Sequence, residues 1–349
     1  MKKILNSSLA ILIFLTLSCT MAPKYKRPES TIPLAKEEEE GKPKISQISW
    51  REFFQSEDLQ RVIELALKNN HDLKIANLNI AAAQANHSIV RSNLFPTINA
   101  TGTRTQQEVP RAFSAFTPKT QYRANLNVTA YELDFFGRLR SLKAAALEEF
   151  LASKEARDAM KIAVIAETVN TYAQLIADSE TLEIADLNLE LQTQKYDIIN
   201  ARYEVGMSSK SDKISALYDL ETGRKDYEFY RKLVADDKNT LMLLCGTFDE
   251  DILPKITTLD DIKINEDALS FVASESLLLR PDIQEAEHYL KSANANIGAA
   301  RAAFFPSITL TGNYGFATTG PFSELFSADS KAWIFTPQIN LPIFTAGRN

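Results

Sequence analysis

Apolar and polar residues alternate strictly from Gln121 to Ala130. Tyr122, Ala124, Leu126, Val128 and Ala130 fall on one face, and Gln121, Arg123, Asn125, Asn127 and Thr129 on the other. A period of two marks a strand with two unlike faces. Thr97 to Gln106 carries a weaker, Thr-rich alternation. Ser307 to Phe316 sends Ile308, Leu310, Tyr314 and Phe316 one way and Thr309, Thr311 and Asn313 the other. Trp333 to Ile343 sets Trp333, Phe335, Ile339, Leu341 and Ile343 against Thr336, Gln338 and Asn340. Pro337 and Pro342 suggest bends or an irregular end there. Strands are therefore expected at about 97–106, 121–134, 307–316 and 333–344.

Elsewhere the period is helical. Leu59, Val62, Ile63, Leu65 and Ala66 share one side of a helix at 57–69, and an Ala- and Asn-rich helix at 72–94 stops before Pro96. From Arg138 to Val205 there is neither Pro nor Gly in 68 residues. A helix over 138–205 would be roughly 100 Å long. Ile162, Ile165, Val169, Tyr172 and Ile176, then Ile184, Leu187, Leu191 and Ile198, repeat with coiled-coil spacing and a phase shift between the blocks. Gly206 breaks the run, and 211–245 reads as a returning helix of roughly 50 Å. That helix and the one at 72–94, laid end to end, about match the long one. An ordinary antiparallel coiled coil is the plain alternative. Further helices are expected at 266–279 and 281–304, the latter opened by Arg280-Pro281-Asp282.

These elements occur twice. His71 to Gly102 aligns without a gap on Pro281 to Gly312, 210 residues later: Asp72 on Asp282, Asn86 on Asn296, Arg91 on Arg301, Phe95-Pro96 on Phe305-Pro306. The register holds to Gly137-Arg138 and Gly347-Arg348. A duplication of this size sets the architecture. The first repeat spans 57–265 and the second 266–349, so the second lacks the long helix pair of the first.

The ends change the picture. Lys2 and Lys3 precede an apolar run, Leu9 to Leu17, too short to cross a bilayer as a helix. The run closes Leu-Thr-Leu-Ser-Cys and resembles a bacterial lipobox, which makes 1–18 a signal peptide and Cys19 the lipidated first residue. Thr20 in place of Asp favours the outer membrane. Residues 19–56 hold Pro23, Pro28, Pro33, Pro43 and the run Glu37 to Glu40, and read as an extended strap from the lipid to the folded body. Removing Lys2 and Lys3 takes the formal charge from −6 to −8, which argues against nucleic-acid binding. Cys245 is then the only other cysteine, so no intrachain disulfide forms, and its apolar neighbours make it a buried small hydrophobe.

Each strand is about ten residues, which suits a tilted strand crossing a bilayer. The connections, roughly 107–120 and 317–332, are long. A half-buried sheet of a soluble protein has the same alternation. If the strands are in lipid, four cannot close a barrel and an open edge cannot stay there, so the chain must oligomerise. Chemistry is sparse. His71, His87 and His288 have no metal-ligand spacing, and there is no nucleophile elbow, phosphate loop or dinucleotide motif. Neither enzyme activity nor a metal is expected. Asp236-Asp237 and Asp260-Asp261 read as solvated charges. Glu132 and Asp134 have two readings, at a pore mouth or at a helix start.

Several long segments together resemble the TolC-like outer-membrane efflux channels, in particular the lipoprotein branch serving multidrug pumps. They are Leu277 to Gly312, YELDFFGR (Tyr131 to Arg138), LPIFTAGRN (Leu341 to Asn349) and RYEVGMSSKSD (Arg202 to Asp212), with Cys19, Pro23 and Tyr25. The resemblance covers nearly everything after the signal peptide. It implies a mainly α chain with membrane β-strands: long antiparallel helices forming an α-barrel wall, and four strands given by each protomer of a homotrimer to one twelve-stranded barrel. It further implies a pore lined by Arg123, Asn125, Asn127, Thr309, Thr311 and Asn313, and diacylglycerol plus an N-acyl chain such as palmitate on Cys19. The turn at Val205, Gly206, Met207 and Ser208, with Asp212, would dock a periplasmic adaptor that links an inner-membrane pump. The structural reading of that turn is simply a glycine C-cap.

The family pattern continues past Gly347 with a second long helix and its return. The sequence as it stands therefore predicts a fragment or a prematurely ended gene product, with apolar seams on 138–205 left without partners. The function implied is the outer-membrane channel of a tripartite efflux system passing small molecules from periplasm to exterior. A lipid-anchored coiled-coil tether and a protein-secretion duct are the alternatives.

Overall fold

The computed structural model describes residues 20–27, 48–108, 110, 118–248, 258–266 and 274–347. The signal peptide, Cys19, the run Glu37 to Glu40 and much of the 107–120 connection lie outside these residues. The elements are α1 (Trp50–Phe53), α2 (Glu57–Asn69), α3 (His71–Ser92), β1 (Ile98–Gln106), β2 (Thr120–Leu133), α4 (Arg138–Glu204), α5 (Lys210–Cys245), α6 (Pro281–Ala302), β3 (Ser307–Thr318) and β4 (Lys331–Asn340). Of the helix expected at 266–279, the described part, Ser274–Leu279, is a 3-10 turn. Pro281 follows, and a residue before proline avoids the α conformation. The last strand is shifted as well. It starts at Lys331, not at 333, and ends at Asn340, short of Pro342.

The chain divides into two compact units that cut across the sequence repeats. One falls within Met1–Pro28, Ala81–Ala152 and Ala286–Asn349, the other within Glu29–Ile80 and Ser153–Glu285. The first is organised by one antiparallel sheet in the order β1-β2-β3-β4. The two repeats meet there, because β2 of the first pairs with β3 of the second. Each repeat turns out of its second strand through a glycine with positive φ, Gly137 (76°) and Gly347 (79°). Only a residue without a side chain takes that conformation freely.

The second unit has the apolar core. Leu59, Val62, Ile63 and Ala66 of α2 pack with Val164, Tyr172, Leu175 and Ile176 of α4 and with Val234, Leu241 and Cys245 of α5. Fully burying a leucine or isoleucine stabilises by about 1.5–3 kcal/mol. Cys245 is buried, and desolvation pushes its thiol up to about 11. Along α5, Leu220, Tyr227, Val234 and Leu241 recur every seven residues, with Ala216, Gly223, Tyr230 and Asp237 as the alternate row. This two-in-seven stripe is a coiled-coil seam, and all eight are buried or half-buried. At Gly223 the helices run close, because a Cβ there would lie 3.6 Å from the Leu189 backbone. On α4 the row Ile184, Leu187, Leu191 and Ile198 is exposed, since Ala185 on the adjacent face is the residue buried there.

One amide ties three helices of this unit. The Asn70 side-chain oxygen accepts from the N–H groups of Asp72 (2.9 Å) and Leu73 (3.1 Å) and so caps α3. Its amide nitrogen donates to the Leu244 carbonyl at the end of α5, at 3.1 Å. The same residue ends α2, through its own N–H to Ala66. Asn70→Ala leaves two helix ends short of partners at a buried site. It should lower unfolding free energy by about 2 kcal/mol, measured by chemical denaturation in detergent. Asn70→Asp keeps the cap and loses the Leu244 bond, and should fall between the two.

Candidate channel sheet and helical tip

The sheet has two chemically distinct faces. One carries Ile98 and Ala100 of β1, Tyr122, Ala124, Leu126 and Val128 of β2, Leu310, Tyr314 and Phe316 of β3, and Trp333, Phe335 and Ile339 of β4. In register, Ala100, Leu126, Tyr314 and Trp333 form one cross-strand row. Six of the larger side chains, Ile98, Leu126, Tyr314, Trp333, Phe335 and Ile339, are exposed in the single chain, Trp333 to 71%. The opposite face carries Arg123, Asn125, Asn127, Thr309, Thr311 and Asn313, so all six strand residues singled out from the sequence share it. Asn99, Asn127 and Asn313 stand side by side in one row. The Asn127 amide donates to Thr101 Oγ1 at 2.7 Å.

The strict alternation expected through Ala130 ends at Val128. Val128 pairs with Gly312, and the next pair is Tyr131 with Leu310. β2 thus spends three residues where β3 spends two, a β-bulge. Ala130 takes φ 49° and its N–H donates to Thr311 Oγ1 at 3.1 Å. The extra residue reverses the phase of everything after it. Tyr131 and Leu133 join the apolar face, while Glu132 lies opposite Thr309 on the polar one. Without the bulge, Tyr131 and Leu133 would point the other way. The sequence carries a trace of this, since the apolar positions pass from even numbers up to Ala130 to odd numbers at Tyr131 and Leu133.

Beyond the bulge, the two acids weighed above act at a helix start. Asp134 accepts from the N–H of Leu139 (3.1 Å), the N–H of Arg140 (3.0 Å) and Arg140 Nε (3.0 Å). Glu132 takes Arg138 in a two-pronged ion pair at 2.8 and 2.5 Å. Phe136 stacks on Phe305 with ring centres 4.7 Å apart, joining this turn to the one between α6 and β3 in the second repeat.

The described part of the strap has a register on α6. Ala22 lies against Gly298, Asn294 donates to the Pro23 carbonyl at 2.7 Å, Lys291 sits over the Tyr25 ring, and Arg27 pairs with Glu287. The strap runs antiparallel to the helix. Thr20 Oγ1 lies 3.5 Å from Ser141 Oγ in the first turn of α4. A Cβ on Gly298 would come within 2.7 Å of Ala22, so glycine is what admits the strap.

At the far end of α4 the turn is compact. The Gly206 N–H donates to Tyr203 O (2.9 Å) and the Met207 N–H to Arg202 O (2.7 Å), with Gly206 at φ 75°. This is a Schellman stop. Ser209 and Asp212 then form a capping box at the start of α5. Asp212 accepts the Ser209 hydroxyl (2.7 Å), the Ser209 N–H (2.9 Å) and the Ser208 hydroxyl (3.2 Å), which together hold its carboxyl below the usual aspartate range. The residues between the helices project outward. Met207 is 80% exposed and Val205 68%. Gly206 has open space where a Cβ would be. Among the described residues no helix is long and apolar enough to cross a membrane, and no cluster of acids, histidines or cysteines is placed to hold a metal ion.

An amphipathic four-stranded sheet joined to a very long helical hairpin defines a class, the helix-and-strand channels of bacterial outer membranes. The comparisons agree. The family model described as outer membrane efflux protein matches residues 62–247 and 272–349. The chain is 41% identical over 350 residues to the probable efflux pump outer membrane protein TtgC of Pseudomonas putida, covering 97% of this chain and 72% of that protein. It is 36% identical over 348 residues to the outer membrane protein OprJ of Pseudomonas aeruginosa, with the same two coverages. Its fold is similar to the open state of the MtrE outer membrane channel of Neisseria gonorrhoeae, with TM-score 0.79, 32% identity, and coverage of 94% of this chain and 74% of that one. A crystal structure of a membrane protein from Pseudomonas aeruginosa gives TM-score 0.82 at 34% identity, covering 95% and 75%.

The chain belongs to the outer membrane efflux protein family. Its place is the outer membrane of a Gram-negative cell, as the channel component of a tripartite efflux system.

Glycine content within the sheet gives a test. A Cβ at Gly315 would lie 2.1 Å from the Ala124 carbonyl and 2.5 Å from Asn125 Oδ1, whereas at Gly102 it meets nothing within 4 Å. Gly315→Val should prevent β2–β3 pairing and deplete folded protein from outer-membrane fractions. Gly102→Ala should leave the yield unchanged. Equal yields for the two variants would contradict the register.

Proposed function

We propose that three copies of this chain close one twelve-stranded barrel, and that the resulting pore passes small molecules from periplasm to exterior. The supporting observation is the two-faced sheet with a strand edge at each side. In hydrocarbon the apolar face needs no cover, but the N–H and C=O groups along β1 and β4 must find partners. A second and third copy supply them. Arg123, Asn125, Asn127, Thr309, Thr311 and Asn313 would then face water in the lumen. No catalytic step enters this reading.

The strap supports lipid attachment at Cys19, through diacylglycerol and an N-acyl chain. Its register on α6 delivers the neighbouring Thr20 to the first turn of α4, next to the strands that would enter the bilayer. Several acyl chains on one residue make such an anchor lasting. The exposed turn Val205, Gly206, Met207 and Ser208, fixed from both sides by the Schellman stop and the Asp212 capping box, suits docking of a periplasmic adaptor. An inner-membrane pump would load the channel through that adaptor. The apolar row Ile184, Leu187, Leu191 and Ile198 would be covered by helices of the assembled wall.

Protein reconstituted in planar bilayers should conduct ions. Arg123→Glu should shift the reversal potential under a salt gradient toward cation selectivity. Absence of conductance from a heat-modifiable oligomer would overturn the pore, leaving a lipid-anchored tether. Cys19→Ala should abolish incorporation of radiolabelled palmitate, and unchanged labelling would end the lipoprotein assignment.

A further inference from the structure

Asp237 is not a solvated charge. It occupies the α5 seam in the row Ala216, Gly223, Tyr230 and Asp237. Its neighbour on α4 is Asp178, only 8% exposed. One oxygen of Asp178 accepts the Gln174 amide at 3.1 Å. Asp237 Oδ2 is buried and has no hydrogen-bond partner. The groups whose charges act on Asp237 are Asp178 across the seam and Asp236 on its own helix, both acids. The nearby cation Lys232 is engaged by Asp236 at 2.5 Å.

Two ionised carboxylates side by side in a partly desolvated seam repel, and an unpaired buried oxygen costs more still. A single proton between them turns the repulsion into a hydrogen bond. We propose that Asp237 is held protonated in the seam and donates to Asp178, fastening α4 to α5, so that the helix pair is firm in acid and loosens as the medium becomes neutral. Asp178 lies 27 residues before Val205 and Asp237 lies 28 residues after Ser209. The two acids therefore stand at one level of the hairpin, roughly 40 Å from its turn. Between them and the turn, the pair is held by the Gly223–Leu189 approach, the Lys195–Asp219 bridge (2.7 Å) and the Lys213–Glu204 bridge (3.4 Å). Losing the proton removes a clasp at the base of that stretch and leaves the turn itself intact. This clasp does not depend on channel assembly.

Burial first, then Asp178, pushes the Asp237 carboxyl up to about 6. A carboxyl raised in the folded state contributes stability that is complete below its unfolded value, near 3.8, and lost as pH rises through the folded value. The window is therefore about pH 4 to 6.

The full chain in detergent tests this through thermal unfolding between about pH 4 and pH 8. Asp237→Asn is isosteric, stays neutral and can still bond to Asp178. Its midpoint should track wild type below about pH 4, exceed it by a growing margin between about pH 4 and 6, and keep a constant margin above that. Asp236→Asn, which removes only the smallest of these influences, should keep most of the wild-type slope. Infrared spectra of the wild type should show a protonated-carboxyl stretch that titrates in the same window and is missing from Asp237→Asn. Parallel melting profiles for wild type and Asp237→Asn would overturn the protonated clasp. If that variant fails to fold, the infrared titration of the wild type alone decides, and its absence overturns the proposal.

Discussion

A strand in hydrocarbon can leave no backbone N–H or C=O without a partner. The other features of the first unit follow from that constraint. The order β1-β2-β3-β4 satisfies the inner strands and leaves one row of donors and acceptors along β1 and another along β4. Helices solve the same problem internally, which is why α4 can run for 67 residues without a partner for its backbone. In the proposed assembly the strands are therefore the part of the chain that needs further copies, and the apolar rows on α4 are a second, weaker need of the same kind.

The helical unit is held differently. Its core is small and lies around α2, where Leu59, Val62, Ile63 and Ala66 meet α4 and α5. Away from it, the α4–α5 pair depends on a narrow stripe, two residues in seven, with Gly223 and Ala216 allowing close approach. A seam this thin has few contacts to spare, so a polar intrusion such as Asp237 has a proportionately large effect.

Much of this was legible in the sequence, because the period of an amphipathic element is a direct image of its environment. The two-faced strands, the helix at 57–69 and the glycine stop at Gly206 were all readable in that way. What could not be read rests on contacts between distant residues. Asn70 looks like an ordinary polar residue between two helices, and only the fold brings Leu244 within 3.1 Å of it. Gly298 is one small residue in an Ala-rich helix until Ala22 is laid on it. Asp237 reads as surface charge beside Asp236 because the seam position is visible only once the heptad is traced through Gly223 and two tyrosines. The 3-10 turn at Ser274–Leu279 has the composition of a helix, and Pro281 disfavours the α conformation at the residue before it.

The bulge at Ala130 has a wider consequence. It makes β2 two half-strands of opposite parity, in which even numbers face one side before it and odd numbers after it. An insertion of one residue ordinarily inverts the rest of a strand, but here the inversion is built in, and a compensating deletion near Ala130 would be the damaging event. A fixed two-residue ruler laid along this chain loses the strand midway. The chain itself keeps an apolar surface continuous from Tyr122 to Leu133 by changing step once, at a single alanine.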